Sequence, residues 1–157
     1  RSPNGGRSWQ NYSSIAEFKS PGIYAIAAKG ETLWCSTGFN KDVNDQTGQT
    51  GSGFTYSFDN GQTWASVPQP LDARDDSVVS YGANAVHFLP ILVNEQNVSF
   101  DVALTDSAVW VASWSSGLRR STDAGKTWRR TVLPSTSCTL TNGWISKATP
   151  AVLLTLG

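Results

Sequence analysis

Short apolar runs separated by turn-forming residues occur in two groups along the chain. In the first group, residues 23–27 and 32–37 lie on either side of a Lys-Gly-Glu turn. In the second group, residues 99–104 and 108–113 lie on either side of a Thr-Asp-Ser turn. Short runs rich in β-branched and aromatic side chains, bounded by Gly, Asp and Ser, are typical of β-strands. The pattern therefore predicts an all-β chain built from repeated hairpins.

An eight-residue pattern, S-x-D-x-G-x-T-W, occurs at residues 57–64 and again at residues 121–128. Residues 2–9 carry a degenerate copy, with Asn in place of Asp and Ser in place of Thr. These three segments are called octapeptides below. The pattern positions are Ser57, Asp59, Gly61, Thr63 and Trp64 in the first full copy, Ser121, Asp123, Gly125, Thr127 and Trp128 in the second, and Ser2, Asn4, Gly6, Ser8 and Trp9 in the degenerate copy.

The residue types of the octapeptide predict a hairpin turn. Asp or Asn side chains bond backbone amides a few residues on, and Gly supplies a backbone position that is closed to larger residues. We expect Asp59 to accept the amide hydrogens of its turn and Trp64 to turn its ring inward. Catalysis needs one convergent site, whereas these residues recur along the chain. The octapeptides are therefore interpreted as framework.

On these residues, the octapeptides resemble the Asp-box repeats, also called BNR repeats, of bacterial sialidase-like β-propellers. The same box is found in sortilin-type propellers, xyloglucan-cleaving glycosidases and propeller-type photosystem assembly factors. The resemblance implies that each box caps the hairpin between the third and fourth strands of a blade. It also implies a position on the outer rim, away from the axial face where ligands bind. It implies no particular activity, because these families do not share one.

The strand pattern and the resemblance together predict an all-β fold, a partial β-propeller of four-stranded antiparallel blades over residues 1–157. We expect an outer strand at residues 8–12 and an extra strand within 79–93. The predicted parts are the end of a blade at 1–20, a blade at 22–68, an insertion or connector at 71–98, a blade at 99–133 and the start of a further blade at 134–157.

A closed propeller needs about four to eight blades, more than this chain supplies. The sequence begins at Arg1 inside a box-like motif and contains no Met. We therefore expect a fragment of a longer protein or a processed product. Its unpaired strand edges would be covered by the remaining blades or by self-association.

Residues 38–52 are predicted to form a long, polar, flexible loop. Within it, Asp42, Asn44 and Gln46 alternate as they do at the start of a calcium loop. The segment lacks the Gly at the sixth position and the bidentate Glu at the twelfth position of such a loop. A cation site at these three residues is therefore the alternative to a polar loop.

A charged run follows Pro70 and consists of Asp72, Arg74, Asp75 and Asp76. Glycoside hydrolysis needs two carboxylates at a set separation, so this run is a candidate acid cluster. Charged runs in loops are usually solvated, and that is the prediction here. His87 is predicted to be half-buried and hydrogen-bonded rather than a general base.

Asp101 lies in a predicted inner strand, where the resemblance implies an axial channel. It is the one catalytic candidate, although a solvated channel residue or a partner of a neighbouring blade is the preferred interpretation. Four arginines flank the last octapeptide, and strand alternation directs one of each pair outward. They lie at the wrong end of the blade for the three arginines with which a sialidase binds its substrate. These arginines are Arg119, Arg120, Arg129 and Arg130.

Composition excludes several classes of partner. The chain has 12 basic and 12 acidic side chains, so no net charge favours nucleic acid or an anionic surface. No apolar run is long enough to span a bilayer. Cys35 and Cys138 have no metal-type spacing, and His87 is the only histidine, so no zinc site or cofactor is expected. Cys35 is expected to be a buried thiol, and a disulfide with Cys138 stays open.

The function expected from the sequence is that of a non-catalytic binding or scaffold segment of a secreted or cell-envelope Asp-box β-propeller. Its ligand would be a carbohydrate or a protein. The alternative is a fragment of a sialidase-like or xyloglucanase-like glycoside hydrolase, whose catalytic residues lie mostly outside this chain. A second carboxylate facing Asp101, such as Asp76 or Glu95, would favour the enzyme.

Overall fold

The computed structural model describes residues 1–18, 22–43, 46–81 and 83–132. These ranges contain ten strands and no helix, so the all-β prediction is confirmed. The described residues therefore include no helix that is long and apolar enough to cross a membrane. The predicted start of a further blade at residues 134–157 lies outside the described residues.

Two antiparallel sheets of four strands each form the main body. Both are meanders, in which strands adjacent in sequence are adjacent in space. The first sheet consists of β1 (Gly22–Lys29), β2 (Thr32–Val43), β3 (Gln46–Ser57) and β4 (Ala65–Val67). The second sheet consists of β7 (Ser99–Leu104), β8 (Val109–Ser113), β9 (Gly117–Ser121) and β10 (Arg129–Arg130).

The segment predicted as a flexible loop, residues 38–52, is instead part of a long hairpin. Strands β2 and β3 pair from Leu33 opposite Ser57 as far as Val43 opposite Gln46, with one register shift beside Gly38. The polar composition suggested a loop. Cross-strand pairing outweighs that preference, because β-propensity depends strongly on the partners that a strand meets.

Two further differences concern the outer segments. One extra strand was expected between the sheets, but a hairpin of β5 (Val78–Tyr81) and β6 (Asn84–His87) is present. The outer strand expected at residues 8–12 is absent from the described N-terminal segment. There, the backbone groups of Arg1 and Gln10 pair with each other, and the Ile15 and Phe18 amides donate to carbonyls three residues earlier, so these bonds form no ladder past the turn.

The core lies between the two sheets. Trp34 and Phe54 from the first sheet pack with Val102, Val109 and Val111 from the second. Trp34 is fully buried, and Tyr56 stacks on its indole ring with 4.7 Å between ring centroids and 12° between planes. Burying each large apolar side chain stabilises the fold by about 1.5–3 kcal/mol, so this layer holds the two sheets together.

Hydrogen bonds within each octapeptide form its turn. Around residues 57–64, the Ser57 hydroxyl donates to Asp59 Oδ1 at 2.7 Å and accepts the Gly61 amide at 2.8 Å. The Thr63 hydroxyl donates to Asp59 Oδ2 at 2.6 Å, and the Thr63 amide donates to Oδ1 at 2.8 Å. The octapeptide at 121–128 makes the same four bonds, at 2.5–2.9 Å.

The degenerate octapeptide at residues 2–9 has the same turn. The Gly6 amide donates to the Ser2 hydroxyl at 2.7 Å, and the Ser8 amide donates to Asn4 Oδ1 at 2.9 Å. The fifth residue has a positive φ of 87° at Gly6, 83° at Gly61 and 80° at Gly125. A glycine is needed there because larger residues are strained in this conformation.

These bonds favour the ionised carboxylates. The hydroxyl and amide of Thr63, with Ser57, lower the pKa of Asp59 from 3.8 to about 2. Thr127 and Ser121 do the same for Asp123. Hydrogen bonds to a carboxylate stabilise its charged form even at an exposed site.

Each full octapeptide packs against a segment that precedes it in the chain. The octapeptide at residues 121–128 packs against the first sheet, and that at residues 57–64 packs against the N-terminal segment. At Gly125, an added Cβ would lie 2.9 Å from Trp34 Cη2 and 3.0 Å from Val67 Cγ2. The Trp128 ring lies 5.4 Å from that of Phe54. The first full octapeptide repeats this relation. A Cβ added at Gly61 would lie 2.9 Å from the Tyr12 hydroxyl oxygen. The Trp64 ring centroid lies 5.4 Å from that of Tyr12 and 4.8 Å from that of Phe18.

We predict that folding stability falls as the pH drops from about 4 towards 2. A carboxyl whose folded pKa is depressed contributes stability that is present above its ordinary pKa, 3.8, and lost as the pH falls towards the folded value of about 2. The double variant Asp59→Asn, Asp123→Asn should show a shallower loss, because Asn4 holds the same turn without titrating. The urea concentration at the midpoint of unfolding, measured at a series of pH values, tests this. Asp75→Asn, at an exposed site outside the octapeptides, is the control, and equal slopes in wild type and double variant would contradict the prediction.

We also predict that Gly125→Ala is more destabilising than Gly6→Ala. Both positions have positive φ, but an added Cβ meets Trp34 and Val67 at Gly125 and no described residue within 4 Å at Gly6. Backbone strain costs about 1–2 kcal/mol at either position, and overpacking adds about 1–3 kcal/mol at Gly125 alone. Urea unfolding measures the difference. Equal losses would show that the contact with the preceding sheet does not restrict this position.

Candidate functional site

The connections between strands gather at two ends of the sheets. The octapeptide end holds the octapeptides with the β1–β2 and β7–β8 turns, and there the Asn60 amide donates to the Glu31 carbonyl at 2.7 Å. The loop end holds the part of the β2–β3 hairpin beyond Gly38, the described residues of the connector at residues 71–98 and the β8–β9 turn at residues 114–116. At the loop end, contacts between the two sheets bring aromatic rings and glutamine side chains together at the surface.

Residues 94–98, called the strap, tie the two sheets together at the loop end. On one side, the Gly51 amide of β3 donates to the Asn94 carbonyl at 3.0 Å. On the other side, the Trp114 amide donates to the Val98 carbonyl at 2.9 Å. The buried Asn97 side chain accepts the Ser116 amide at 3.0 Å. The strap therefore fixes the β8–β9 turn relative to the long hairpin.

Both first strands carry a β-bulge that presents an aromatic ring. The register of β1 against β2 shifts at Tyr24, and that of β7 against β8 shifts at Phe100. A bulge leaves one residue unpaired and redirects its side chain. The two residues are equivalent in the repeat, because each precedes its second-strand tryptophan by ten positions (34 − 24 and 110 − 100).

The two redirected rings meet each other and a third ring. Tyr24 and Phe100 pack edge-to-face with 5.7 Å between centroids and 78° between planes. Phe100 and Trp114 pack similarly at 6.1 Å and 80°. Gly38 leaves space for this row, since a Cβ there would lie 2.8 Å from the Tyr24 ring. We call these three rings the aromatic row.

A groove of about 160 Å³ lies beside the aromatic row. Phe100 and Trp114 are 38% and 53% exposed, so both present ring surface to the outside. Two side-chain amides and one aliphatic side chain complete its walls. The residues lining the groove are Gln49, Gln96, Val98, Phe100 and Trp114.

The backbone of Gln96 is strained. Its φ is 57°, in the left-handed region that favours glycine, and its side-chain amide lies against the backbone of Gly48. Strained residues persist only where the surrounding structure holds them, and they cluster at functional sites. Here strand β3 holds Gln96, because the Gln96 backbone amide donates to the Gln49 carbonyl at 2.8 Å.

The groove is electrostatically neutral. None of its lining residues is charged. The neighbouring strap residue Glu95 is paired with Lys41 at 2.7 Å, and this hydrogen-bonded ion pair lowers the pKa of Glu95. A neutral surface with amide groups suits a ligand that carries many hydroxyl or amide groups and no charge.

A larger open depression, about 660 Å³, lies at the octapeptide end, where Trp34 and the β1–β2 and β7–β8 turns line it. The exposed pair of Lys29 and Asp106 crosses its mouth at 2.5 Å. Exposed pairs of this kind contribute little to stability. The two charges neutralise each other, and the depression has no row of exposed rings like that at the loop end.

The prediction that the charged run at residues 72–76 is solvated is wrong for Asp72. Its side chain is buried and accepts hydrogen bonds from the Arg119 guanidinium, from Arg130 Nη2 at 2.6 Å and from the Ile91 amide at 2.7 Å. Burial alone raises the pKa of Asp72, but the Ile91 amide and the two guanidinium groups outweigh it and hold that pKa below its ordinary value. Arg74, Asp75 and Asp76 are exposed, as predicted.

Strand alternation at the arginine pairs is as predicted, because Arg119 and Arg130 point towards Asp72 while Arg120 and Arg129 are exposed. The Arg130 guanidinium also lies 3.9 Å from the centroid of the Phe88 ring. The cluster therefore anchors the connector onto the second sheet. Sequence reasoning missed it because the partners lie 47 and 58 residues from Asp72.

The catalytic candidate Asp101 lies in β7, half-buried, and its Oδ1 accepts the Val102 amide at 2.8 Å. Glu95 is engaged with Lys41, and Asp76 is exposed. Among the described residues, no group of three or more His, Cys, Asp or Glu side chains could hold a metal ion.

The cation candidate at residues 42–46 is on the long hairpin. Asp42 Oδ1 accepts the Thr47 hydroxyl at 2.6 Å, so this carboxylate supports the hairpin. Asn44 and the side chain of Gln46 lie outside the described residues. A calcium loop needs backbone carbonyls turned inward, whereas Asp42 lies within a regular ladder.

Cys35 is a buried thiol, and its burial raises its pKa to about 11. Cys138 lies outside the described residues.

The expectation that His87 is half-buried is wrong, because β6 places it on the exposed side of a two-stranded hairpin. The aromatic row and its glutamines were also missed. The one available signal was the aromatic residue ten positions before each second-strand tryptophan.

Comparisons of the chain with protein-family models, with curated proteins and with solved structures found no match.

We predict that Asp72→Asn strongly destabilises the chain. Removing the carboxylate leaves two guanidinium groups facing each other in a site where Asp72 and Arg119 are 0% and 3% exposed. Breaking a buried ion pair in this way costs about 3–5 kcal/mol. Urea unfolding at neutral pH measures the loss. Asp75→Asn, in the same run but exposed, should change stability by less than about 0.5 kcal/mol, and equal effects of the two variants would contradict the anchoring role.

Proposed function

We propose that the chain is a non-catalytic binding segment of a secreted or cell-envelope Asp-box β-propeller, and that its ligand is a neutral carbohydrate. The two four-stranded sheets correspond to adjacent blades in this proposal. The octapeptide end corresponds to the rim of the boxes, and the loop end presents the ligand surface. The observation that carries the proposal is the aromatic row beside Gln49 and Gln96.

The chemistry of the groove supports a saccharide. The apolar C–H face of a pyranose ring packs on exposed aromatic rings such as those of Phe100 and Trp114. Its hydroxyl groups need partners that both donate and accept, and the amides of Gln49 and Gln96 provide both functions. The neutral lining supports an uncharged sugar over an acidic one, since a carboxylate ligand would need a cationic partner.

Several features support a binding role over a hydrolytic one. Retaining and inverting glycosidases both use two carboxylates on either side of the scissile bond. In the described ranges, Asp72 is enclosed by two arginines and Glu95 is paired with Lys41. Asp101 bonds the amide of its own neighbour. The carboxylates of the full octapeptides are committed to their turns.

Rigidity of the site also supports binding. The aromatic row is built on two first strands, and the strap fixes the β8–β9 turn that carries Trp114. The side chains of the site are therefore already ordered before the ligand binds. Binding then loses little conformational entropy, and a small contact area can give useful affinity.

The proposal is tested by titrating the full chain with cellohexaose, xylohexaose and laminarihexaose and following tryptophan fluorescence. At least one neutral hexasaccharide should bind, and Trp114→Ala should weaken that binding at least about tenfold, or about 1.4 kcal/mol. Leu89→Ala is the control, because Leu89 is 71% exposed and does not line the groove. The anionic trisaccharide 3′-sialyllactose should bind more weakly.

Three results would contradict the proposal. The first is the absence of binding by all three hexasaccharides at millimolar concentration, and the second is equal affinity of wild type and Trp114→Ala. The third is release of new reducing ends from a bound hexasaccharide, which would favour the glycoside hydrolase instead.

A further inference from the structure

The repeated docking of octapeptides gives the chain two half-interfaces that match each other. Inside the chain, the octapeptide at residues 121–128 docks on a sheet face centred on Trp34. The octapeptide at residues 57–64 is covered in the same places by Tyr12 and Phe18. In both cases a ring covers the octapeptide glycine, and the octapeptide tryptophan packs against aromatic neighbours.

The degenerate octapeptide has the same turn and lacks this cover. None of the described residues lies within 4 Å of a Cβ added at Gly6, whereas Gly61 and Gly125 have close contacts. Trp9 is 75% exposed, whereas Trp64 and Trp128 are half-buried. An exposed tryptophan beside an uncovered turn is the octapeptide half of the interface seen twice within the chain. We call Gly6 and Trp9 the Trp9 surface.

The second sheet carries the other half. Trp110 occupies the position of Trp34, with an offset of 76 residues (110 − 34) that also relates Phe100 to Tyr24 (100 − 24). Val109 and Val111 face the core, so Trp110 and Ala112 lie on the opposite face, where both are half-buried. Ala112 pairs with Leu118, which is also half-buried. We call Trp110, Ala112 and Leu118 the Trp110 face.

The Trp110 face also repeats the stacking seen at Trp34. Tyr56, which is opposite Trp34 in the ladder, stacks on its ring. Arg120, which is opposite Trp110, places its guanidinium 5.7 Å from the centroid of that ring. In each sheet, a planar group on the third strand therefore packs on the second-strand tryptophan and widens the surface available to an octapeptide.

We propose that the Trp9 surface of one copy of this chain docks on the Trp110 face of a second copy. The contact would continue the interface between Trp34 and the octapeptide at residues 121–128, which is already present within each chain. The net charge of zero favours association, because copies do not repel one another at neutral pH.

Such a contact is head-to-tail. Two different surfaces meet, so a first contact leaves one surface free on each copy, and further copies add until a ring closes. The inference does not depend on the identity of the ligand.

The mass of the full chain in solution tests this proposal, measured by light scattering after size exclusion from about 1 to 500 µM. Wild type should rise above the 16.9 kDa of one chain as its concentration increases. Trp9→Ala should weaken association at least about tenfold without changing the melting temperature, because Trp9 is exposed. Leu89→Ala, which removes another exposed apolar side chain, should associate like wild type.

Mixing two variants tests the head-to-tail geometry. Trp110→Ala should weaken self-association as Trp9→Ala does, and Ala112→Glu replaces it if the tryptophan variant does not fold. Each variant keeps the half that the other has lost. An equimolar mixture should therefore form a species of two chains at concentrations where either variant alone is single.

A wild type that stays at the mass of one chain throughout would overturn the proposal and assign the cover of Trp9 to another partner. Undiminished association of Trp9→Ala would overturn it as well, and so would a mixture of folded variants that fails to form the two-chain species.

Discussion

Contact between a turn glycine and the preceding sheet is the constraint on which the packing of this chain depends. The second sheet can approach the first closely only because residue 125 has no Cβ to meet the Trp34 ring and the Val67 methyl group. Once that approach is made, Trp128 reaches Phe54, and the apolar layer of Trp34, Val102 and Val111 closes. The glycine therefore sets the spacing of the sheets, and the large side chains fill the space that it leaves.

The two ends of the sheets are stabilised by different kinds of contact. At the octapeptide end, Ser, Asp and Thr satisfy the backbone of a tight turn within eight residues. At the loop end, the strap, which is the last part of the connector, bonds to both sheets, and the Asp72 cluster holds the connector in place over a long sequence separation. Tyr24 and Phe100 contact each other at this end because the same bulge occurs in both first strands.

The sequence was informative where structure is local and uninformative where it depends on distant partners. Strand periodicity and the octapeptides predicted the turns that follow β3 and β9 and the alternation at Arg119. Residues 38–52 were mispredicted because Gly and Thr there are stabilised by pairing with a partner strand and by the strap. Asp72 was mispredicted because burial of a carboxylate is decided by arginines far along the chain. The groove was missed because a bulge has no distinct residue pattern of its own.

The octapeptide also has a consequence for the order of folding. Its hydrogen bonds join residues only two to four positions apart. Closing so short a segment involves little chain entropy, and hairpins of this kind form in about 1–10 µs. The ion pair between Asp72 and Arg119 spans 47 residues and forms only after the sheets meet. The octapeptides are thus suited to act as early nuclei that set the register of each hairpin before long-range packing begins.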